Sequence, residues 1–221
     1  MSNVETKPPN DPAGFNGSWL SLWLRELGAK VIGYSLGLPT KPSLFEIIGL
    51  RNKIDAHIVG NIRDEQHLLF VFKKYEPEFV FHLAAQPLVR FSYKEPKVTY
   101  ETNVMGTVNV LEAVRKTKSV KVCIIATSDK CYENKEWIYG YREVDAMGGY
   151  DPYSSSKGCA ELVVASYRKS FFNPKDYGST HNVALSSVRA GNMIGGGDWG
   201  ENRLIVDCIK ALRATAKLGH K

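Results

Sequence analysis

Short apolar, β-branched runs alternate along this chain with longer stretches in which apolar residues recur every three or four positions. The runs at 30–36, 56–60, 79–85, 122–126 and 182–189 have the length and composition of strands. Between them, the stretches 64–75, 96–117 and 153–172 carry helical spacing, as Val104, Val108, Leu111 and Val114 illustrate. Two further helices are expected, one over 19–28, closed by Gly28, and one over 203–212. Strands and helices in alternation predict an α/β fold with a doubly wound parallel sheet, in which ligands lie beyond the carboxyl ends of the strands. The segments 134–149 and 191–199 read as loops, the first a lid or plain surface and the second a glycine-rich connection.

The amino-terminal end departs from this regularity. Residues 1–13 hold three prolines between Lys7 and Pro12 and no strand pattern, so they form an atypical segment where a first strand is expected. Gly14-Phe15-Asn16-Gly17-Ser18 then feeds a helix, the arrangement in which backbone amides and the helix dipole cradle a phosphate. Asp11 stands where the first glycine of such a turn belongs, and a carboxylate there repels pyrophosphate. The end of the strand over 30–36 is Gly37-Leu38, where a dinucleotide site places an acidic residue on the ribose.

The chemistry concentrates between Thr127 and Lys157. Thr127-Ser128-Asp129-Lys130 follows the buried run 122–126 and so falls at a strand's carboxyl end. Asp151-Pro152 starts a helix on which Tyr153 and Lys157, one turn apart, share a face. An ammonium beside a phenol favours phenolate, lowering the phenol pKa and making it a proton-transfer group. A Tyr-x-x-x-Lys pair by itself is more often a solvated helix face; the strand-end Thr-x-Asp-Lys ahead of it shifts the balance toward catalysis. His82, in an apolar run, reads as a packed core residue. Asn103, within a core helix, either bonds neighbouring backbone or orients a lysine through water.

Composition excludes several classes. The chain has 221 residues, 43% of them apolar, enough for a substantial core, with no apolar run long enough to span a bilayer and a polar start without a signal-peptide pattern, so a cytoplasmic location is expected. Cys123, Cys131, Cys159 and Cys208 lack Cys-x-x-Cys spacing and read as reduced packing thiols rather than a metal site or disulfides. The net charge of +6 suits an anionic ligand, but the basic residues are scattered, which argues against nucleic acid.

Taken together, the segments 14–20, 82–90, 127–132, 148–154 and 189–192 running into Gly195-Gly196-Gly197-Asp198-Trp199 resemble the extended short-chain dehydrogenase/reductase family, and within it the CDP-glucose 4,6-dehydratases. Lys130 separates the chain from the dTDP-glucose enzymes, which carry glutamate there. The resemblance implies a Rossmann-like domain over 14–190, and a truncated substrate-binding region beginning at 191–221. It implies an NAD cofactor, CDP-glucose as substrate and a homodimer built on the helices of Asn103 and Tyr153. It further implies catalysis by Thr127, Tyr153 and Lys157, with Asp129 as acid for the departing hydroxyl and Lys130 assisting proton removal at sugar carbon 5. Gly14, Phe15, Gly17, Asn61, Ile62, Leu83, Ala84, Ala85 and Asn103, with Thr127, Tyr153 and Lys157, would surround the cofactor. Gln86, Asn192 and Arg203 would lie near the sugar nucleotide. The family pattern has aspartate where Gly37 and Asn61 stand. Because these departures and that of Asp11 all fall in the cofactor site, a non-catalytic binding or assembly module is the alternative, with an epimerase or reductase on another nucleotide sugar behind it.

Overall fold

The computed structural model describes residues 14–38 and 40–218. The atypical segment 1–13, with Asp11, lies outside them, as do residues 219–221. Five strands, β1 (Ile32–Ser35), β2 (Ala56–Val59), β3 (Phe79–His82), β4 (Val122–Ala126) and β5 (Ala184–Val188), are all paired in parallel. The parallel, Rossmann-like arrangement is the one expected, and among the described residues β1 and β2 form a two-stranded sheet and β3-β4-β5 a three-stranded one. No strand among the described residues bridges them, so β3 is an edge and its first residue, Phe79, is exposed rather than buried.

The helices are α1 (Phe15–Glu26), α2 (Leu44–Ile47), α3 (Glu65–Tyr75), α4 (Val89–Lys94), α5 (Pro96–Tyr100), α6 (Gly106–Arg115), α7 (Pro152–Ser170) and α8 (Leu204–Leu218). The stretch read as one helix over 96–117 is α5 and α6 joined by a π-helical turn, Glu101–Met105, which carries Asn103. Such turns often mark functional sites. Local chemistry sets the ends: Asp64 caps α3 through His67 N at 3.0 Å, and Glu76, in the left-handed region at φ 44°, closes it before Pro77.

The main core joins α3, α6 and α7 to the three-stranded sheet through Leu68, Phe72, Leu111, Val114, Ile125, Val164 and Leu185. Leu111 and Val164 are wholly buried, each worth about 1.5–3 kcal/mol of apolar transfer. A smaller cluster, Val31, Phe45, Leu50 and Ile54, packs under α1. The four cysteines are free, Cys123 and Cys131 buried among the packed layers. No helix among the described residues is long and apolar enough to cross a membrane.

Candidate active site

β4 delivers Thr127 to the carboxyl edge of its sheet, where its N–H donates to Val188 O of β5 at 2.8 Å. The chain then turns through a single 3-10 turn, Asp129–Cys131, capped by the Ser128 hydroxyl, which accepts from Lys130 N at 3.2 Å. The Asp129 carboxylate accepts from Ser128 Oγ at 3.0 Å and stays exposed, as does Lys130. Asp129 N also donates to Ala190 O at 3.1 Å, which joins the turn to the segment after β5.

α7 supplies the facing residues. Asp151 caps it, accepting from Ser154 N at 3.0 Å, and Pro152 occupies its first turn, as the sequence predicts. The helix start is pressed against Gly149, where a Cβ would stand 2.5 Å from the backbone of Ser154 and Ser155. Tyr153, Lys157 and Glu161 follow at intervals of four on one face, all buried. Lys157 Nζ donates to Ala126 O at 3.3 Å, anchoring α7 to the end of β4.

The electrostatics correct one expectation. The Tyr153 pKa is not lowered on balance: burial pushes that phenol above its usual value. Hydrogen bonding to Ser128 and the charge of Arg203 pull it back, while Asp129 and Asp151 push it further up. Burial also brings the Lys157 pKa down to about 8, partly opposed by Glu161 and Cys131, and its Nζ is turned to the Ala126 carbonyl. Four-residue spacing puts both groups on one face, but burial governs their charge.

A second network sits after β3. Asn103 Oδ1 accepts from Gln86 N at 2.8 Å, and its Nδ2 donates to Gln86 O at 3.1 Å and to Ser156 Oγ at 2.9 Å. Asn103 thus bonds neighbouring backbone, that of Gln86, and the Ser156 hydroxyl of α7. Gln86 is fully buried; its amide donates to Thr99 Oγ1 at 2.9 Å and accepts from Leu88 N at 2.6 Å. These bonds tie the Gln86 side chain to Leu88, ahead of α4, and to α5. His82 packs in the core as read: Thr107 Oγ1 donates to Asn103 O at 2.7 Å, so it accepts from His82 Nε2–H at 3.2 Å. Burial and the Lys157 charge bring the His82 pKa down to about 3.

Gly14 gives α1 a cap without a side chain, and the first turn holds Asn16, whose Oδ1 is buried without a hydrogen-bond partner. The glycine run after β5 lies across this turn: a Cβ on Gly195 would stand 2.9 Å from the Phe15 ring, and Trp19 Nε1 donates to Gly196 O at 3.1 Å. Gly197, at φ 84°, passes so close that a Cβ would meet Leu44 at 2.5 Å. Gly17 is buried in the same turn.

At the other end, Asn61 lines a cavity of about 460 Å³ with Arg63, Glu101 and Met105, and its Oδ1 accepts from Arg63 N at 3.0 Å. Ile62 is buried against α6, accepting from Asn109 Nδ2 at 3.0 Å. Gly37 and Leu38 border a second cavity of about 360 Å³ with Phe45, Arg51 and His57. Arg203 pairs with Asp198 at 3.3 Å, within electrostatic reach of Tyr153. Asn192 is exposed, and neither it nor Lys130 makes a side-chain hydrogen bond among the described residues.

Two residues at the centre escape the sequence reading. Glu161 Oε1 accepts from Thr127 Oγ1 at 2.5 Å, while Oε2 accepts from Ser187 Oγ at 3.0 Å and Arg189 Nη2 at 2.8 Å. Arg189 also donates to Tyr132 Oη at 2.8 Å and Glu143 O at 3.0 Å. The signal for Glu161 was its place four residues after Lys157; no spacing links it to Arg189.

Residues 12–191 match the family described as GDP-mannose 4,6 dehydratase. The chain is 59% identical over 198 residues to the CDP-glucose 4,6-dehydratase of Salmonella typhimurium, covering 90% of this chain and 55% of that protein. It therefore spans about half the length of that relative. Among solved structures, a dTDP-glucose 4,6-dehydratase of Streptomyces venezuelae, with NAD bound, superposes with a TM-score of 0.73 at 20% identity, over 92% of this chain and 60% of that one. A UDP-glucose 4-epimerase of Brucella ovis in complex with NAD superposes at 0.63 with 25% identity, over 81% and 49%. With this family match and the Rossmann-like parallel architecture, the chain belongs to the GDP-mannose 4,6 dehydratase family within the extended short-chain dehydrogenases/reductases.

Proposed function

We propose that this chain is the cofactor-binding and catalytic part of a sugar-nucleotide 4,6-dehydratase that converts CDP-glucose to CDP-4-keto-6-deoxyglucose and water with bound NAD. The observation that carries the reading is the meeting of the β4 end, with Thr127, Asp129 and Lys130, and the α7 face of Tyr153 and Lys157. Similarity to dehydratases favours it over a non-catalytic binding or assembly module.

The residues present fit a dinucleotide at its pyrophosphate end. Gly14, Phe15 and Gly17 form a turn at the start of α1 without a capping side chain, the setting in which backbone N–H groups and the helix dipole receive an anion. Leu83, Ala84 and Ala85 would flank the nicotinamide, with Asn103 holding their loop. Asn61 and Ile62 would border the adenosine, with Gly37 leaving the ribose without a carboxylate. When bound, NAD supplies a reversible hydride acceptor, taking hydride from sugar carbon 4 and returning it at carbon 6.

Tyr153 takes the proton of the sugar 4-hydroxyl, which requires its phenolate, so the upward push of burial must be offset on binding. Thr127 holds the same hydroxyl, and Lys157 favours the ionised phenol. The ketone at carbon 4 acidifies the hydrogen at carbon 5; Lys130 assists its removal, and Asp129 protonates the hydroxyl leaving carbon 6. Both are exposed, open to a substrate arriving over the strand ends. Arg203 and Asn192 would meet the sugar nucleotide, in a substrate-binding region that begins at residues 191–221 and follows the domain over 14–190. We place the protein in the cytoplasm as a homodimer, its second copy covering exposed Tyr93, Tyr100, Met105 and Leu162 on the helices from α4 to α7.

Incubation with CDP-glucose and NAD, followed by mass spectrometry of the nucleotide sugar, tests this reading. The expected product has lost one water; unchanged CDP-glucose under conditions in which the Salmonella relative turns over would overturn it.

A further inference from the structure

Where the strand that β1 represents ends, a dinucleotide site ordinarily places a carboxylate, which takes the ribose 2′-hydroxyl and repels a phosphate at that position. This chain has no such group. Gly37 stands there at φ 142°, a backbone conformation that favours glycine, and a Cβ built on it meets nothing within 4 Å. The strand end is bare, and its backbone does not readily carry an aspartate. It opens on the cavity of about 360 Å³ whose wall includes Phe45, Glu46, Arg51 and His57. Arg51 comes from the 3-10 turn Leu50–Asn52 and is exposed. Among the described residues its guanidinium makes no ion pair and no hydrogen bond, so it is free to meet an anion. The other polar groups of the wall are already engaged. His57 Nε2 is paired with Ser35 Oγ at 2.9 Å, its ring lies 4.8 Å from that of Phe45, and burial together with the Arg51 charge lowers its pKa, so Arg51 is the cation there. Glu46 is the acid of the wall, and its Oε2 accepts from the Ser43 hydroxyl at 3.0 Å, at the start of α2.

We propose that the cavity beyond Gly37 receives the 2′-phosphate of a phosphorylated nicotinamide dinucleotide, with Arg51 as its partner, so that the chain binds NADP more tightly than NAD. The inference rests on the dinucleotide reading of the site. It leaves the hydride chemistry unchanged, since the 2′-phosphate belongs to the adenosine end, away from the nicotinamide. The absent carboxylate removes the repulsion that ordinarily excludes the phosphate, and the cavity supplies the room. The guanidinium supplies the attraction, because its planar fork meets two phosphate oxygens at once. A ribose 2′-hydroxyl finds no carboxylate at residue 37, so NAD forgoes a contact that NADP does not need. Glu46 works in the opposite direction, repelling a phosphate and offering an acceptor to a ribose hydroxyl. Arg51 and Glu46 therefore make opposite predictions for the two dinucleotides.

Calorimetric titration of the full chain with NAD, NADP and 2′,5′-ADP tests this without turnover. NADP should bind roughly tenfold or more tighter than NAD, the scale of one charge-assisted phosphate contact. 2′,5′-ADP, which carries the phosphate but no nicotinamide, should displace NADP and so locate the advantage at the adenosine end. Arg51→Gln should weaken NADP roughly tenfold and leave NAD almost unchanged, with Arg51→Lys recovering part of the loss because it keeps the charge without the fork. Lys53→Gln removes an exposed cation outside the cavity wall and should alter neither affinity. Glu46→Gln, which can keep the bond to Ser43, should tighten NADP further. NAD binding as tightly as NADP or tighter overturns the proposal, and so does an NADP advantage that survives Arg51→Gln. If NAD is the tighter ligand and weakens on Glu46→Gln, that carboxylate holds the ribose instead. A chain that binds none of the three ligands overturns the dinucleotide reading and the proposal with it, whereas binding of NAD alone overturns only the proposal.

Discussion

The side-chain amide of Asn103 holds the main chain of Gln86 from both sides, accepting from its N–H at 2.8 Å and donating to its carbonyl at 3.1 Å. A π-helical turn thereby fastens the loop after β3, and a third bond, to Ser156, ties the same amide to α7. Asn103→Leu strands three buried partners. We expect a loss of about 2–3 kcal/mol, read as a lower urea midpoint at unchanged slope.

Gly149 and Gly140 lie in the same connection and should respond oppositely to alanine. A Cβ at 149 overlaps the backbone of Ser154 and Ser155, whereas at 140 nothing lies within 4 Å. Gly149→Ala should cost about 1–3 kcal/mol and shift the first turn of α7, with Tyr153 on it. Gly140→Ala should leave the thermal midpoint unchanged within about a degree.

Tyr153→Phe removes the proton acceptor while keeping the ring that fills the site. Turnover of CDP-glucose should fall roughly 100- to 10,000-fold. NAD affinity, measured by calorimetry, should change little. A variant with comparable turnover would assign the proton transfer to another group.

His82 makes stability depend on mild acid. Its folded pKa of about 3 lies below the ordinary 6.5, so between these values the unfolded chain binds more protons and stability falls as the pH drops. The contribution is complete above pH 6.5. His82→Gln can keep a bond to Thr107 but cannot titrate. The wild-type advantage should therefore shrink by roughly 1–2 kcal/mol between pH 7 and 5, a window above most carboxylate titrations. Urea unfolding of both proteins across that range is the check; parallel curves would show that His82 is not the titrating group.

Much of this protein was legible in its sequence because the determinants are local. A β-branched run makes β4, and the residue after it must stand at a strand end. Asp151-Pro152 starts α7, and a four-residue interval stacks Tyr153 over Lys157. The family likewise followed from contiguous segments. Tertiary structure decided what distance along the chain conceals. Glu161 meets Arg189 across 28 positions, and Asn103 meets Ser156 across 53, through side chains whose neighbours are set only when the layers pack. It also decided charge: Lys157 lies on the Tyr153 face, yet burial raises the phenol and lowers the amine. Spacing along a helix determines which side chains share a face. Desolvation and hydrogen-bond partners, which exist only in the packed structure, determine what those side chains can do there.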